Sequence, residues 1–229
     1  VFWGNRNWHP LLPDTMAEMA AEGLRRVLAV VLAGYSSYSS CRQYLENIEA
    51  ARESVGASAP VVEKVRAFFN HPEFVAANAE QLSKVLDENE GAHVVFTAHS
   101  IPSGMAAGCE YESQLHETGR LVAGACGVSD ERWRLAYQSR SGHPDDPWLE
   151  PDVLDHIRSL HEEGVEAVVA QPIGFLSDHL EVLFDLDVEA AELSDELGLR
   201  FLRAETVGVH PRFVGMLGEL VAERCAGLT

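Results

Sequence analysis

Apolar and polar positions follow two periodicities along this chain. Short apolar runs predict buried strands at residues 27–33, 93–98, 133–138, 167–170 and 199–204. Longer stretches with apolar residues every three or four positions predict helices at 11–22, 41–52, 61–69, 72–89, 111–124, 151–163 and 211–224. Strands that alternate with helices of this length predict parallel β-sheets and an α/β fold, and residues 56–60 (Gly-Ala-Ser-Ala-Pro) are the best candidate for a boundary between two lobes.

An acidic segment, residues 178–189, follows the predicted strand at 167–170. Ser177 is expected to cap a helix there, and His179 lies beside the first carboxylate. Four carboxylates recur at i, i+3, i+7 and i+11: Asp178, Glu181, Asp185 and Glu189. An α-helix would place all four on one face, where like charges repel and a bound cation would compensate. A solvated acidic face explains the same spacing, so spacing alone does not decide.

Two further segments place chemically useful side chains after predicted strands. His99 ends the strand at 93–98, and an imidazole there can exchange a proton near neutral pH or bind a metal. A core histidine bonded to backbone is the alternative. If this strand neighbours the one at 167–170, the imidazole and the carboxylates meet at one edge of the sheet. Trp148, in a Gly- and Pro-rich loop, either lines a pocket or covers the core.

Composition narrows the classes of partner. The 229-residue chain has a net charge of −19, from 17 basic and 36 acidic residues. That charge opposes binding to nucleic acid and to anionic membranes, and it is compatible with a cation as substrate. The longest apolar run, 27–33, is too short to cross a bilayer, and no signal peptide is visible. We therefore expect a cytoplasmic protein without a membrane span.

The hydroxyl-rich tract 34–44 and the cysteines are each open to two interpretations. The tract can bind carboxylates or phosphates, or it can simply cap the helix that follows. Four widely spaced cysteines form no CxxC pair: Cys41, Cys109, Cys126 and Cys225. Each can be a small buried hydrophobe, but four is also the number that an iron–sulfur cluster needs.

Three of these segments, in this order, resemble the ferrochelatase family. The matching residues are Phe96-Thr-Ala-His-Ser-Ile-Pro102, Gln138-Ser-Arg-Ser-Gly142 with Pro147-Trp-Leu-Glu-Pro151, and Pro172-Ile-Gly-Phe-Leu-Ser-Asp-His-Leu-Glu181. The resemblance extends over nearly the whole chain. The tract 35–44 is most similar to the actinobacterial branch, which is understood to act on coproporphyrin III rather than on protoporphyrin IX.

The resemblance implies a two-lobed α/β chelatase with Rossmann-like parallel sheets and an active-site cleft between the lobes. It implies insertion of Fe²⁺ into coproporphyrin III, with His99 receiving pyrrole protons or holding the metal and Glu181 facing it across the porphyrin. Asp178 and His179 would support this site, and Asp185 and Glu189 would continue inward as an acidic trail for metal delivery or proton exit. The implied porphyrin contacts are Ser36, Ser37, Tyr44 and Trp148.

The resemblance also implies a domain organisation and a cofactor. The family's first β–α segments would precede Val1, so residues 1–56 would be the remainder of an N-terminal lobe and 57–208 the second lobe. Residues 209–229 would form a last helix that packs back on the first lobe. Some members carry a 2Fe–2S cluster. Cys41 lies in the region of its internal ligand and Cys225 is a candidate tail ligand. Cys109 and Cys126 are candidates for the other places, although no motif assigns them.

We therefore expect a monomeric enzyme that binds a porphyrin and ferrous iron. A protoporphyrin IX ferrochelatase is the alternative among enzymes. A non-catalytic tetrapyrrole or metal carrier and an acidic domain without a ligand are alternatives from other classes. A carrier needs no proton acceptor, so the dependence of turnover on His99 discriminates it from an enzyme.

Overall fold

The computed structural model describes residues 1–143 and 145–227. Its contacts divide the chain into two compact units. The first unit comprises Val1–Ala67 together with the chain from Leu217 onward, and the second unit is Phe68–Met216.

The first unit contains a small parallel sheet covered by two helices. Its elements are α1 (Leu12–Ala21), β1 (Arg26–Ala29), a π-helical turn (Tyr38–Arg42), α2 (Gln43–Val55), a 3₁₀ turn (Gly56–Ser58) and β2 (Val61–Lys64). Strands β1 and β2 pair in parallel from Arg26↔Val61 to Ala29↔Lys64. Met16, Ile48 and Ala51 form its buried core.

The helix predicted at 61–69 is wrong, because this segment begins with the strand β2. Val61 and Val62 are β-branched, and a short apolar run does not distinguish a buried helix from a strand. The pairing of β2 with β1 also keeps residues 56–64 in the first unit. The lobe boundary suggested at 56–60 therefore lies inside that unit, and the division of the whole protein into lobes stays a prediction.

The second unit is a four-stranded parallel sheet with the order β4-β3-β5-β6. The strands are β3 (His93–His99), β4 (Trp133–Gln138), β5 (Ala167–Gln171) and β6 (Arg200–Arg203). The surrounding helices are α3 (Pro72–Leu86), α4 (Ser103–Ala106), α5 (Tyr111–Ala125), α6 (Val153–Glu162), α7 (Leu180–Val182), α8 (Ala191–Leu197) and α9 (Pro211–Ala226), the last of which continues into the first unit. The predicted α/β class with parallel sheets is confirmed, and β3 and β5 are direct neighbours.

One helix after β5 is π-helical in its middle. It begins with α7, continues as a π-helix over Leu183–Ala190 and ends with α8; we call residues 180–197 the π-containing helix. Its N-cap is His179 and not Ser177, so that prediction is wrong. Asp178 lies before the helix, and the inferred alignment of four carboxylates on one α-helical face is therefore wrong as well.

Among the helices of the described residues, none has the length and apolar character that a membrane span requires.

Candidate active site

His99 lies at the carboxyl end of β3, where the backbone changes from strand to loop. Residues 94–98 before it are fully buried between helices, which holds the strand end in place. The phenolic hydroxyl of Tyr111 donates to the His99 carbonyl over 3.0 Å. On the ring, Nδ1 lies in contact with the carbonyl oxygen of Ser100. That contact leaves Nε2 directed away from its own backbone.

Glu181 meets His99 from the first turn of the π-containing helix. The distance from His99 Nε2 to Glu181 Oε1 is 3.1 Å, and the side chains are 40% and 41% exposed. An imidazole and a carboxylate at this distance can share a proton, and both are ligands for a divalent metal. Because neither is buried, a substrate can reach them. The structure thus brings together the two residues that the sequence placed at the ends of separate strands.

A close approach between two loops supports this geometry. The Gly174 amide donates to the carbonyl of Thr97 over 3.0 Å, which continues the contact between β5 and β3 beyond their ladder. A Cβ at position 174 would lie 2.5 Å from Ala98 Cβ and 2.7 Å from Ala98 Cα. A real Cβ does not make such contacts, so the turn that leads to Glu181 requires glycine here.

Asp178 is held by an arginine of β6. Arg203 Nη1 donates to Asp178 Oδ1 over 2.8 Å, and Arg203 Nε and Nη2 donate to the two carboxylate oxygens of Asp187 over 2.5 and 3.0 Å. Burial would lower the pKa of Arg203, but the hydrogen bonds and negative charges of Asp187 and Asp178 outweigh burial and raise it. Arg203 on β6 therefore holds the π-containing helix through Asp187 and the segment just before it through Asp178.

Asp185 binds the end of β4, a contact that the sequence did not predict. Gln138 Nε2 donates to Asp185 Oδ2 over 3.1 Å, and the hydroxyl of Ser139 is in hydrogen-bond contact with the same oxygen. Both residues lie in the Gln138-Ser-Arg-Ser-Gly142 motif, yet neither was proposed as a site residue. The available signal was the change from an apolar strand to two polar side chains at the edge of the sheet where His99 lies.

The remaining predicted metal residues are exposed. The His179 ring packs edge-on against Phe175, with 5.3 Å between the ring centroids. Glu189 lies in the last turn of the π-helical stretch. Across residues 1–143 and 145–227, no group of three or more His, Cys, Asp or Glu side chains is close enough to bind one metal ion. The six predicted ligands do not form one coordination sphere, and a metal role for each stays a prediction.

Trp148 borders a cavity of about 500 Å³ in the second unit. Ser100, Tyr137, Arg140 and Asp152 also line it. Desolvation by burial is the main cause of raised pKa values for both Tyr137 and Asp152. The placement agrees with Trp148 as a pocket residue. A contact between Trp148 and a porphyrin stays a prediction.

The predicted porphyrin residues of the hydroxyl-rich tract lie in the first unit. The Ser37 hydroxyl caps the turn at 38–42 by accepting from the Ser40 amide over 3.1 Å, and Ser36 precedes it, partly buried. The guanidinium carbon of Arg6 lies over the Tyr44 ring, 5.0 Å from the ring centroid. The capping alternative therefore accounts for Ser37. Porphyrin contacts by Ser36, Ser37 and Tyr44 stay predictions.

The four thiols are divided between the two units. Cys41 and Cys225 lie in the first unit, whereas Cys109 and Cys126 lie in the second. Cys109 donates to the Met105 carbonyl over 3.3 Å. Burial raises the pKa of the Cys126 thiol, which disfavours the thiolate that iron binds. Ligation of an iron–sulfur cluster by Cys41, Cys225, Cys109 and Cys126 stays a prediction.

Comparison with known proteins identifies the family. The family model described as ferrochelatase matches residues 1–225. The chain belongs to the ferrochelatase family. A ferrochelatase of Rhodopirellula baltica is 55% identical over 234 residues, which cover 100% of this chain and 66% of the relative. A coproporphyrin III ferrochelatase of Streptomyces coelicolor is 46% identical and covers 98% of this chain and 65% of the relative.

A coproporphyrin III ferrochelatase of Nocardia farcinica is also 46% identical, covering 100% of this chain and 68% of the relative. The chain thus spans about two thirds of the length of these curated ferrochelatases. The solved structure of SirB from Bacillus subtilis with Fe³⁺ is similar with a TM-score of 0.69 and 13% identity, over 94% of this chain and 78% of SirB. At that identity the likeness shows the fold alone, and it agrees with the chelatase architecture expected from the sequence.

Proposed function

We propose that the protein containing this chain inserts Fe²⁺ into a porphyrin, and that His99 and Glu181 carry the reaction. The observation that carries this proposal is the 3.1 Å distance between His99 Nε2 and Glu181 Oε1, in two side chains that remain open to solvent. Membership of the ferrochelatase family supports the same reaction.

The chemistry fits these two groups. Insertion of a divalent ion releases two protons from the pyrrole nitrogens, and an imidazole is a suitable acceptor near neutral pH. The ion must also lose its water ligands before it enters the macrocycle. A carboxylate and an imidazole can replace those waters and then release the metal to the porphyrin. In this proposal His99 accepts the protons, and Glu181 is the exchangeable oxygen ligand beside it.

Residues around the pair receive subordinate roles. His179, the N-cap of the π-containing helix, is exposed and is a candidate to support the site. Glu189 is exposed on that helix and is a candidate for the path of the metal or the protons. Asp178, expected to support the site, and Asp185, expected on the acidic trail, both accept hydrogen bonds from protein groups. Trp148, Ser36, Ser37 and Tyr44 remain the candidate porphyrin contacts.

Coproporphyrin III is the substrate that we propose, with protoporphyrin IX as the alternative. Support comes from the relatives of Streptomyces coelicolor and Nocardia farcinica, which are named coproporphyrin III ferrochelatases. The Rhodopirellula baltica relative is named only ferrochelatase. Measured kcat/KM values of the full-length protein for the two porphyrins decide between them, and a higher value for protoporphyrin IX would overturn this choice.

The deciding experiment is His99→Ala in the full-length protein. We expect this variant to lose iron insertion, which is measured under anaerobic conditions from the change in porphyrin absorbance. Porphyrin binding, measured by fluorescence quenching, should be retained. Unchanged turnover would refute the role of His99. A wild-type protein that binds porphyrin and iron but never inserts the metal would instead be a carrier, and one that binds neither would be an acidic domain without a ligand.

The cytoplasmic location, the monomeric state and the 2Fe–2S cluster remain predictions for the whole protein. A visible absorption spectrum of the freshly purified full-length protein tests the cluster, because iron–sulfur charge-transfer bands would appear in it. Gel filtration tests the monomeric state.

A further inference from the structure

Gln138 and His99 occupy equivalent positions on neighbouring strands. Strands β3 and β4 pair in parallel with His99 opposite Gln138, so the two side chains emerge on the same face at the same edge of the sheet. The Ser100 amide also donates to the Gln138 carbonyl over 2.8 Å, which continues the ladder beyond His99. The position of Gln138 is therefore fixed relative to the imidazole.

The amide of Gln138 reaches from the sheet to the π-containing helix. Its Nε2 is 3.1 Å from Asp185 Oδ2, and because an ionised carboxylate only accepts hydrogen bonds, the nitrogen must face Asp185. Gln138 is 1% exposed as a residue, and its Oε1 is buried without a hydrogen-bond partner in the described part of the chain. An unpaired buried oxygen is unfavourable, so Gln138 leaves its Oε1 without a hydrogen bond while its Nε2 donates to Asp185.

Ser139 adds a second donor to the same carboxylate oxygen. Its φ is +61°, a left-handed value that no other non-glycine residue adopts in residues 1–143 and 145–227. Such a backbone costs free energy unless surrounding contacts require it. At Ser139 that contact is the hydrogen bond of its hydroxyl to Asp185.

Asp185 follows Glu181 by four residues on the same helix, about one helical turn. We propose that Gln138, assisted by Ser139, is a positioning residue that holds Asp185 and thereby fixes Glu181 at contact distance from His99. This inference rests on the proposed function of the pair. In this proposal, Asp185 anchors the π-containing helix and does not act as a carboxylate along the metal path.

The test uses four variants of the full-length protein. Gln138→Met keeps the length of the side chain but removes the donor, and Gln138→Glu places two carboxylates against each other. Gln138→Glu combined with Asp185→Asn restores a hydrogen bond with donor and acceptor exchanged. Asp185→Asn alone keeps an oxygen that can accept from Gln138 and Ser139 while it removes the charge.

We expect Gln138→Met and Gln138→Glu to lower kcat by about tenfold or more, because small misplacements of reacting groups have large effects on rate. The KM for porphyrin should change less than about twofold, as expected for a residue that does not touch the substrate. The double variant should recover most of the kcat lost in Gln138→Glu and approach the kcat of Asp185→Asn alone, which is its reference. No recovery in the double variant, or a loss in Asp185→Asn as large as in Glu181→Gln, would overturn the proposal.

An NMR experiment separates this inference from the proposed function. Glu181→Gln should shift the His99 ring signals strongly in the wild-type background and only weakly in the Gln138→Met background. Equal shifts in both backgrounds would show that Gln138 does not set the distance of the pair. If the wild-type protein inserts no metal at all, the proposed function fails, while this coupling experiment still reports on the positioning.

Discussion

Replacing Arg203 with methionine removes the cation that ties the π-containing helix to β6. The side chain of Arg203 is only 14% exposed, and it serves two carboxylates: Asp187 through two nitrogens and Asp178 through one. Methionine has a similar length and fills the same volume with apolar atoms. Arg203→Met therefore leaves two carboxylates close together without their cation.

The expected magnitude follows from the burial of the three groups. Removing one partner of a buried ion pair costs about 3–5 kcal/mol, whereas exposed pairs contribute less than about 1 kcal/mol. Asp178 and Asp187 are 30% and 38% exposed, so water can solvate part of the unpaired charge. We expect a loss of about 2 kcal/mol in the free energy of unfolding of the second unit.

Hydrogen exchange followed by mass spectrometry is the suitable assay, because two compact units need not unfold in one step. Peptides covering residues 178–190 should exchange about thirtyfold faster at neutral pH if opening of the helix becomes easier by that amount. Arg200→Met is the matched control, since Arg200 lies on the same strand with an exposed side chain. If Arg203→Met exchanges no faster than this control, the bracing role of Arg203 is refuted.

A third variant checks that the uncompensated charge is the cause. Adding Asp178→Asn and Asp187→Asn to Arg203→Met removes the two orphaned charges together with their cation. Replacing every member of an ion-pair network often changes stability little, because no charge is left unpaired. Most of the protection from exchange should therefore return. A variant that remains as unprotected as Arg203→Met would point to lost packing of the guanidinium instead.

Three further predictions concern other parts of the second unit. Glu189→Gln should slow metal insertion less than Glu181→Gln, since only Glu181 contacts the imidazole, and equal initial rates would contradict this. Gly119→Ala should lower the free energy of unfolding, measured in urea, by about 1–3 kcal/mol. Its Cβ would lie 3.0 Å from a phenylalanine ring of β3 and 3.1 Å from a tryptophan ring of β4. Gly124→Ala, with open space around its Cβ, should leave the free energy of unfolding unchanged. Burial, together with a neighbouring imidazole, lowers the pKa of His93 to about 4, so the folded state resists protonation and stability should fall as the pH drops from about 6.5 to 4. His93→Gln should flatten that pH dependence in urea titrations, and an unchanged slope would exclude this contribution.

The parts of the fold that the sequence predicted well have strong local signals. Residues 94–98 are all apolar or small and uncharged, and in the structure they are fully buried, so the strand and its polar end at His99 followed from the pattern. The segment 61–64 carries a weaker signal. Its conformation depends on pairing with β1, a contact distant in sequence that no local periodicity encodes.

The candidate site shows the same limit. The acidic segment after a clear strand indicated the region of Glu181, but its spacing did not decide between a cation site and a solvated face, and the resemblance to the ferrochelatase family singled out Glu181. The start of the helix that carries Glu181 could not be predicted, because Ser177 is a good N-cap in isolation. The helix begins later, after Asp178, whose carboxylate accepts a hydrogen bond from Arg203. Gln138 was also missed, since its importance arises from register with His99 and from a partner 47 residues away.

Gly174 has a consequence for protein engineering and for natural variation. The obstruction at this position includes Ala98 Cα, a backbone atom that every amino acid carries, so shortening residue 98 to glycine would not make room for a side chain. No substitution at residue 98 can therefore make room for a side chain at position 174. A library that aims to change metal preference can vary the exposed residues of the π-containing helix, but it should hold Gly174 constant, because any other residue would move the loop that delivers Glu181 to His99.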